Sequence, residues 1–187
     1  MSIPVGLLQW IEAHAEEFRP PVSNRVVWPD SEFVFMVVRG PNARSDFHVD
    51  PGDEIFMQLR GEIRVDVIED GVLEVRRVGE GEIMLVPAGI PHRPLRPEGT
   101  WGLVIERQRR PDELDTIFWR CPRCEHRVNE VRFHVSDIET ELASAMHAFN
   151  ASPARRTCGN CGTRLRVPEA FGPESEGDLD VPERAGR

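Results

Sequence analysis

Long apolar runs are missing from this chain of 187 residues, since no apolar stretch reaches the roughly 18 residues that a membrane-spanning helix needs. A basic stripe is missing as well: the formal net charge is -9, from 32 acidic and 23 basic residues. Because a surface that neutralises nucleic-acid phosphates needs such a stripe, we expect neither a nucleic-acid partner nor a membrane partner. We interpret the acidity as a feature of ordinary solubility.

A secretion signal and structural disulfides are also not expected. The first residues lack the basic segment ahead of an apolar core that a signal peptide carries, so we expect a cytoplasmic location. The four cysteines form two Cys-x-x-Cys pairs, Cys121/Cys124 and Cys158/Cys161. In a chain without a secretion signal, this arrangement favours metal ligation over disulfides.

The pattern of the first two thirds of the chain is β-rich. Apolar residues spaced near 3.6 predict a short N-terminal helix over residues 7–18, which two prolines end. Six short β-rich runs follow with no helical pattern between them, which predicts an antiparallel jelly-roll barrel and a mainly β fold. Asp70-Gly71 is typical of a hairpin turn. The predicted strands are residues 32–39, 54–59, 63–68, 72–78, 82–86 and 101–106.

The last third has a different character and is predicted to form a separate part. Ser136 and Glu139 match a helix capping box, and an apolar stripe that follows them is expected to pack in the core of the molecule. Residues 171–187 have little to bury and are predicted to be a disordered tail. We therefore predict a catalytic domain over 1–118 and a metal-binding segment over 119–170. The helical stripe comprises Ile138, Leu142, Met146 and Phe149.

Two histidines and a glutamate form the first candidate site. His48 and Glu54 lie on either side of the turn Asp50-Pro51-Gly52, which can bring their side chains together, and His92 lies beyond a later predicted strand. Two imidazoles and one carboxylate leave three coordination positions of a metal open, as in non-haem Fe(II) oxygenases. Since a lone histidine is more often a surface or core residue than a ligand, the spacing of the set carries this prediction.

The same residues match two cupin sequence motifs. Residues 81–92 carry the pattern Gly-x5-Pro-x-Gly-x2-His of the second motif, and the spacing of His48 and Glu54 between two glycines resembles the first. One position departs from the first motif, because Asp46 stands where a histidine is usual. The departure removes one common metal ligand and leaves a set of two histidines and one glutamate.

Five separated segments together resemble the bacterial 3-hydroxyanthranilate 3,4-dioxygenase family of the cupin superfamily. The resemblance implies an Fe(II) enzyme that opens the ring of 3-hydroxyanthranilate with O₂ and forms 2-amino-3-carboxymuconate semialdehyde. This product is a quinolinate precursor in the kynurenine pathway and so belongs to NAD biosynthesis. The resemblance also implies a homodimer. The segments are residues 20–25, 42–48, 54–61, 86–97 and 104–109.

The resemblance also implies roles for single residues. The two histidines and the glutamate would hold the catalytic Fe(II). Arg44 and Arg96 would bind the substrate carboxylate, for which arginine offers a bidentate fork, and Arg44 would also orient O₂. Glu106 would engage the substrate hydroxyl and accept its proton. The other pocket residues would be Asn24, Val38, Phe56 and Val104, whereas solvated side chains are expected for Arg93, Arg107, Arg109 and Arg110.

The four cysteines form the second candidate site. Two Cys-x-x-Cys turns present four thiolates, which suit Zn²⁺ or iron in tetrahedral geometry, and the spacing leaves the metal open. The second pair argues against a lone redox dithiol, and the acidic composition argues against a nucleic-acid zinc ribbon. The resemblance implies a rubredoxin-like iron away from catalysis. We predict a structural site that attaches the helical segment 136–149 to the barrel.

Two alternative functions stay open at this point. One is a cupin dioxygenase for a related substituted aromatic or thiol substrate, which assays with substrate analogues would distinguish. The other is a non-catalytic cupin that binds a ligand, since a fold alone does not fix a function. The second alternative predicts metal binding without O₂ uptake.

Overall fold

The computed structural model describes residues 4–169 of the chain. The predicted disordered tail, residues 171–187, lies outside the described residues. The helical elements are α1 (Leu7–Ala13), a 3-10 turn (Ala15–Glu17) and α2 (Glu141–Asn150). The strands are β1 (Asn24–Val26), β2 (Phe33–Arg39), β3 (Phe47–Val49), β4 (Glu54–Arg60), β5 (Ile63–Glu69), β6 (Val72–Val78), β7 (Ile83–Val86), β8 (His92–Leu95), β9 (Trp101–Arg107), β10 (Asp115–Arg120) and β11 (Arg127–Phe133).

The strands form two antiparallel sheets. The first sheet has the order β1-β2-β9-β4-β7, and the second has the order β11-β10-β3-β8-β5-β6. Many neighbours are distant in sequence, since β9 lies between β2 and β4, and β3 lies between β10 and β8. Two antiparallel sheets with such long-range crossovers around one core form a jelly roll. The predicted fold class, a mainly β cupin barrel with a short helix before it and a helix after it, is confirmed.

Alternating residues of both sheets form one core. In the first sheet, the register places Met36 beside Val104 and Val104 beside Phe56, and Val65 and Ile117 join them from the second sheet. All five side chains are buried. Since side chains alternate between the two faces of a strand, polar residues two positions away on the same strands also point inward. This alternation brings polar groups into the barrel.

Helix α1 covers part of the outer face of the first sheet. Its Ile11 packs with Phe18 and with buried residues of β2 and β9. The helix predicted over residues 7–18 is shorter in the structure, because it ends at Ala13 and a 3-10 turn follows. The backbone of His14 leaves the helical region, with φ -110° and ψ 8°.

Helix α2 packs against the barrel through its predicted apolar face. Phe149 stacks on Trp119 of β10, with ring centroids 3.9 Å apart and an interplanar angle of 8°. Neither of the α-helices within residues 4–169 is long and apolar enough to cross a membrane. The four residues of the predicted stripe are buried: Ile138, Leu142, Met146 and Phe149.

The predicted capping box is wrong. Glu139 does not reach back to Ser136; its Oε1 accepts the backbone N–H of Val26 in β1 at 2.6 Å. The backbone N–H groups of Ser136 and Asp137 are instead bound by Glu141 Oε2, at 2.7 and 3.0 Å. The helix therefore begins later than the motif predicts, and Glu139 fastens the segment before it to the first sheet.

The cysteine-bearing part continues the second sheet. Strand β10 pairs with β3 on one side and with β11 on the other. The predicted boundary between residues 118 and 119 falls inside β10, and the division into parts 1–118 and 119–170 stays a prediction.

Candidate metal centre and substrate cavity

The strand register brings His48, Glu54 and His92 together inside the barrel. His48 of β3 is the cross-strand partner of His92 of β8, and Glu54 begins β4 after a turn in which Asp50 Oδ1 accepts the N–H of Gly52 at 2.6 Å. Glu54 Oε1 lies 3.3 Å from His48 Nδ1 and 3.0 Å from His92 Nε2. Their possible ligand atoms all lie within 4.8 Å of one another. The spacing thus predicts the convergence of the three side chains, while their role as ligands stays a proposal.

The chemistry of this donor set fits a cation. Glu54 Oε1 is buried without a hydrogen-bond partner among the described residues, although two imidazole nitrogens face it. Burial alone would raise the pKa of Glu54, but the charge of His92 and the close contact with His48 hold that pKa well below its usual range. Burial opposes a charge on His48 too, yet the hydrogen bond with Asp115 and the nearby Glu54 carboxylate raise its pKa to about 10. A metal ion bound here would replace protons at these atoms.

Asp46, at the position of a usual cupin histidine, holds an arginine. Its carboxylate accepts Arg44 Nη2 at 2.7 Å and Arg44 Nε at 3.4 Å. The side chains of Asp46 and Arg44 are 1% and 5% exposed. Since a two-point contact fixes the planar guanidinium, Asp46 positions Arg44 at the wall of the cavity that also contains the histidines.

Arg96 is a buried cation without a carboxylate partner within ion-pair distance among residues 4–169. It is 2% exposed, and its Nη1 donates to the neutral amide oxygen of Gln58 at 3.3 Å. Gly102 gives it space, because a Cβ there would lie 2.9 Å from Arg96 Nη1. Burial and the positive charge of Arg44 lower the pKa of Arg96 to about 9. A buried charge needs a counter-charge, so this corner of the cavity is suited to an anion.

Glu106 lies directly opposite Glu54 across the strand pair β4–β9. Its Oε1 accepts Arg109 Nη1 at 2.5 Å, whereas its buried Oε2 has no hydrogen-bond partner in the described part of the chain. Burial and the negative charge of Glu54 raise the pKa of Glu106 well above its ordinary value. A carboxylate with a raised pKa and a free oxygen is suited to accept a proton.

The prediction that Arg109 is solvated is wrong. Its side chain is 2% exposed, and Nη2 lies 2.7 Å from carboxylate oxygens of both Asp50 and Asp115. The contact with Asp50 is an ion pair without hydrogen-bond geometry, since Asp50 Oδ2 has no hydrogen-bond partner within residues 4–169. Asp50, Glu54 and Glu106 also lie close enough to hold a metal, but two of these three carboxylates already have Arg109 as their cation.

The other three arginines differ in exposure. Arg93 is also not simply solvated, since it is 14% exposed and its Nη2 lies 2.5 Å from buried Asp66. Arg107 is 32% exposed and binds Glu113 at 2.5 Å. Only Arg110, which is 73% exposed, fits the prediction of a solvated side chain.

Sequence reasoning missed Asp115. Its Oδ2 lies 2.7 Å from His48 Nε2, on the side of the ring away from Glu54, and its side chain is fully buried. The two residues are 67 positions apart, so no local motif connects them. The pairing of β10 with β3 brings the Asp115 carboxylate to the Nε2 edge of the His48 ring.

The metal-capable cluster, both arginines and Glu106 line one cavity. Its empty volume, including the opening to solvent, is about 430 Å³. Asn24 Nδ2 donates to the carbonyl of Ile138 at 3.2 Å, so the segment before α2 forms part of the wall. The predicted pocket residues all line this cavity: Asn24, Val38, Phe56 and Val104.

The four cysteines converge at a second position. Sulfur atoms of Cys121 and Cys161 lie 3.5 Å apart, and those of Cys124 and Cys158 lie 3.6 Å apart. These distances are close to the edge of about 3.8 Å expected for a tetrahedron of thiolates with metal–sulfur bonds near 2.3 Å. Burial raises the pKa of Cys121 to about 11, whereas hydrogen bonding with Thr163 lowers the pKa of Cys161 to about 6. The geometry fits a tetrahedral metal site and does not select the metal.

The jelly roll and the buried cluster of two histidines and a glutamate define a cupin with a candidate metal centre. A family model described as 3-hydroxyanthranilic acid dioxygenase matches residues 1–150. A Bacillus thuringiensis (strain Al Hakam) protein named 3-hydroxyanthranilate 3,4-dioxygenase is 48% identical over 168 residues, which are 89% of this chain and 93% of that protein. A protein of the same name from Xanthomonas euvesicatoria pv. vesicatoria (strain 85-10) is 43% identical and covers 90% and 95% of the two chains.

The chain belongs to the 3-hydroxyanthranilic acid dioxygenase family, which confirms the resemblance drawn from its motifs. Among solved structures, a cupin-2 domain protein from Shewanella frigidimarina aligns with a TM-score of 0.43 and 20% identity, over 52% of this chain and 92% of that one. This alignment is confined to about half of the chain.

Proposed function

We propose that the protein is a non-haem Fe(II) dioxygenase that opens the ring of 3-hydroxyanthranilate with O₂ to give 2-amino-3-carboxymuconate semialdehyde. Membership of the family supports this activity. The single structural observation that carries it is the composition of the cavity. One cavity combines a metal-capable cluster with a buried arginine that has no carboxylate partner among residues 4–169, as a substrate that has both chelating groups and a carboxylate requires.

His48, Glu54 and His92 are the proposed ligands of the catalytic metal. Held by these residues, ferrous iron would supply the redox chemistry and open coordination positions that a reaction of an aromatic ring with O₂ needs. The protein contributes a buried donor set whose carboxylate stays ionised, because the imidazoles around Glu54 lower its pKa. It also excludes bulk water, since all three side chains are at most 5% exposed.

Arg44 and Arg96 are proposed to bind the substrate carboxylate. Arg96 has no competing carboxylate within ion-pair distance in residues 4–169, so the substrate would supply its missing counter-charge. Arg44 is already paired with Asp46, which holds its guanidinium in one orientation and leaves its remaining donors for substrate and O₂. Apolar side chains of Val38, Phe56 and Val104 in the same cavity would contact the ring, and the remaining proposed contact is Asn24.

Glu106 is proposed to take the proton of the substrate hydroxyl. Glu106 lines the cavity, its Oε2 has no hydrogen-bond partner among the described residues, and its raised pKa suits it to hold a proton once transferred. Arg109 binds the other oxygen and so keeps the carboxylate in one position. Loss of the hydroxyl proton makes the ring more electron-rich, which favours its oxidation.

The four cysteines are proposed to hold a second, structural metal, either iron or zinc. Their sulfur positions and the family resemblance support a rubredoxin-like site. A homodimer and a cytoplasmic location stay predictions, as does the division of the chain at residue 118.

The test is anaerobic reconstitution with Fe(II), followed by 3-hydroxyanthranilate and air. We expect O₂ uptake in step with the near-ultraviolet absorbance of the semialdehyde. Substitution of His48, Glu54 or His92 by alanine should abolish both signals, whereas His147→Ala, on the exposed side of α2, should not. A folded, iron-loaded protein without uptake would contradict this substrate. If related aromatics fail as well, the non-catalytic cupin becomes the better explanation.

A further inference from the structure

The ring of His48 lies between two carboxylates. Its Nδ1 is 3.3 Å from Glu54 Oε1, on the side of the proposed metal. Its Nε2 is 2.7 Å from Asp115 Oδ2, on the opposite side. The side chains of His48 and Asp115 are 3% and 0% exposed. The ring can therefore present only Nδ1 to a metal while Nε2 stays bound to Asp115.

Arg109 holds Asp115 in this position. Its Nε donates to Asp115 Oδ1 at 3.0 Å, and its Nη2 donates to Oδ2 at 2.7 Å. This forked contact fixes the plane of the carboxylate. The third donor of the same guanidinium, Nη1, binds Glu106 Oε1 at 2.5 Å. One buried cation thus orients both the carboxylate behind His48 and the proposed proton acceptor.

We propose that Asp115 is a positioning residue of the metal centre, which fixes the ring of His48 and the nitrogen that it offers, and that Arg109 holds Asp115 for this role. A neutral imidazole has one N–H and one lone pair. Since Asp115 accepts the proton at Nε2, the lone pair is left at Nδ1, facing Glu54. Carboxylates placed behind a metal-bound histidine act in this way on metal affinity. The inference rests on the proposed function only through the assignment of His48 as a ligand.

The chain offers a matched control at Asp66. This aspartate is also fully buried, and it is also bound by arginine side chains, from Arg64 at 2.5 Å and Arg93 at 2.5 Å. None of the hydrogen bonds of its carboxylate goes to a histidine. Asp66→Asn therefore removes a comparable buried charge without altering the ring of His48.

Wild-type protein, Asp115→Asn and Asp66→Asn are each loaded with Zn²⁺ as a diamagnetic probe. Correlation spectra of ¹⁵N-labelled histidine are then recorded while a chelator competes with the protein for zinc. The ring signals of His48, assigned by their absence in His48→Gln, report this site and not the four cysteines. We expect the wild-type ring to carry its proton on Nε2 and the metal on Nδ1. Zinc affinity at His48 should fall about 10- to 100-fold in Asp115→Asn and stay unchanged in Asp66→Asn.

The outcomes separate this inference from the proposed function. If zinc-bound wild-type protein carries the ring proton of His48 on Nδ1, the inference is wrong. This result needs no variant, so it holds even if Asp115→Asn does not fold. An Asp115→Asn variant with unchanged affinity and the same protonated nitrogen also overturns it, while leaving the metal site in place. If zinc does not perturb His48 in the wild type, the proposed metal centre fails as well.

Discussion

Arg96 places a positive charge inside the barrel, where it is 2% exposed and lies near a second cation, Arg44. Arg96→Gln should weaken binding of 3-hydroxyanthranilate about 10- to 100-fold, the effect of losing a charge-assisted hydrogen bond. Anaerobic titration calorimetry measures the affinity, and metal analysis checks that iron content is unchanged. Arg110→Gln, which replaces an exposed arginine, is the control. Equal affinity in Arg96→Gln, or loss of iron, would contradict the proposed role.

Arg44→Ala should have a second effect besides weaker substrate binding. It leaves the Asp46 carboxylate, which is 1% exposed, without its cation. Removing one partner of a buried ion pair costs about 3–5 kcal/mol of unfolding free energy. Urea unfolding measures this loss, and iron content should again be intact, since Asp46 and Arg44 lie outside the proposed ligand set. The double variant Arg44→Ala/Asp46→Ala should regain part of the stability; no recovery would argue against the pair as the cause.

The free energy of unfolding of the metal-free protein should depend on pH because of His48. Its pKa is 6.5 in the ordinary state and about 10 in the folded protein, so the folded state holds an extra proton between these values. The resulting stability is fully present below pH 6.5 and is lost as the pH rises through about 10, with a slope of up to about 1.4 kcal/mol per pH unit. Urea unfolding of chelator-treated protein from pH 6.5 to 10 measures it. His48→Gln should remove this slope and His147→Gln should not; an identical slope in His48→Gln would refute the assignment.

At the residue scale, the sequence predicts the site only in part. The positions of His48, Glu54 and His92 follow from motif spacing, because each lies next to a turn or a strand end that the motif describes. Asp115 and Arg109 could not be predicted in this way. Their roles arise from contacts between strands that are distant in sequence, and an arginine in a basic run gives no sign that it is buried.

At the scale of elements, an aromatic stack contributes to the packing of helix α2 against the barrel. Phe149 and Trp119 are 0% and 1% exposed and stack face to face. Phe149→Ala should cost about 3–5 kcal/mol of unfolding free energy, from lost burial and the cavity left behind. Chemical denaturation measures the change, and Leu73→Ala, at a 39% exposed position of β6, should stay within about 0.5 kcal/mol of wild type. A small effect of Phe149→Ala would mean that α2 is held by other contacts.

The six strands predicted from sequence are present, and none of their ends differs by more than one residue. Five further strands were not predicted, and the reason can be identified for β1, β3, β8 and β11. Strands β1 and β3 have only three residues each, and β8 contains Pro94, which lowers the strand signal. In β11, charged and apolar residues mix because much of the strand is exposed. The hairpin at Asp70-Gly71 was predictable, because its turn needs positive φ and the dipeptide Asp-Gly tolerates it. Both residues have positive φ in the structure.

At the scale of the whole molecule, the four cysteines connect the end of the second sheet to the chain that follows α2. Cys124→Ser should reduce bound metal by one ion per chain and lower the unfolding temperature, because a metal that closes a long loop stabilises the folded chain. Turnover per catalytic iron should be unchanged. Metal analysis, calorimetry and O₂ uptake measure these effects, with His48→Ala as the reciprocal variant that keeps the thiolate metal. A folded Cys124→Ser protein without any activity would contradict a purely structural role.

The residues that line the cavity are an even number of positions apart within several segments: Asn42, Arg44 and His48; Glu54 and Phe56; His92, Pro94 and Arg96; Val104 and Glu106. This alternation limits the insertions and deletions that the protein can tolerate. A substitution changes one group, but inserting or deleting a single residue inside such a segment turns all later members toward the opposite face. Length changes should therefore be tolerated in distant turns such as Asp70-Gly71 and rejected between Arg44 and His48, even where every chemical group is retained.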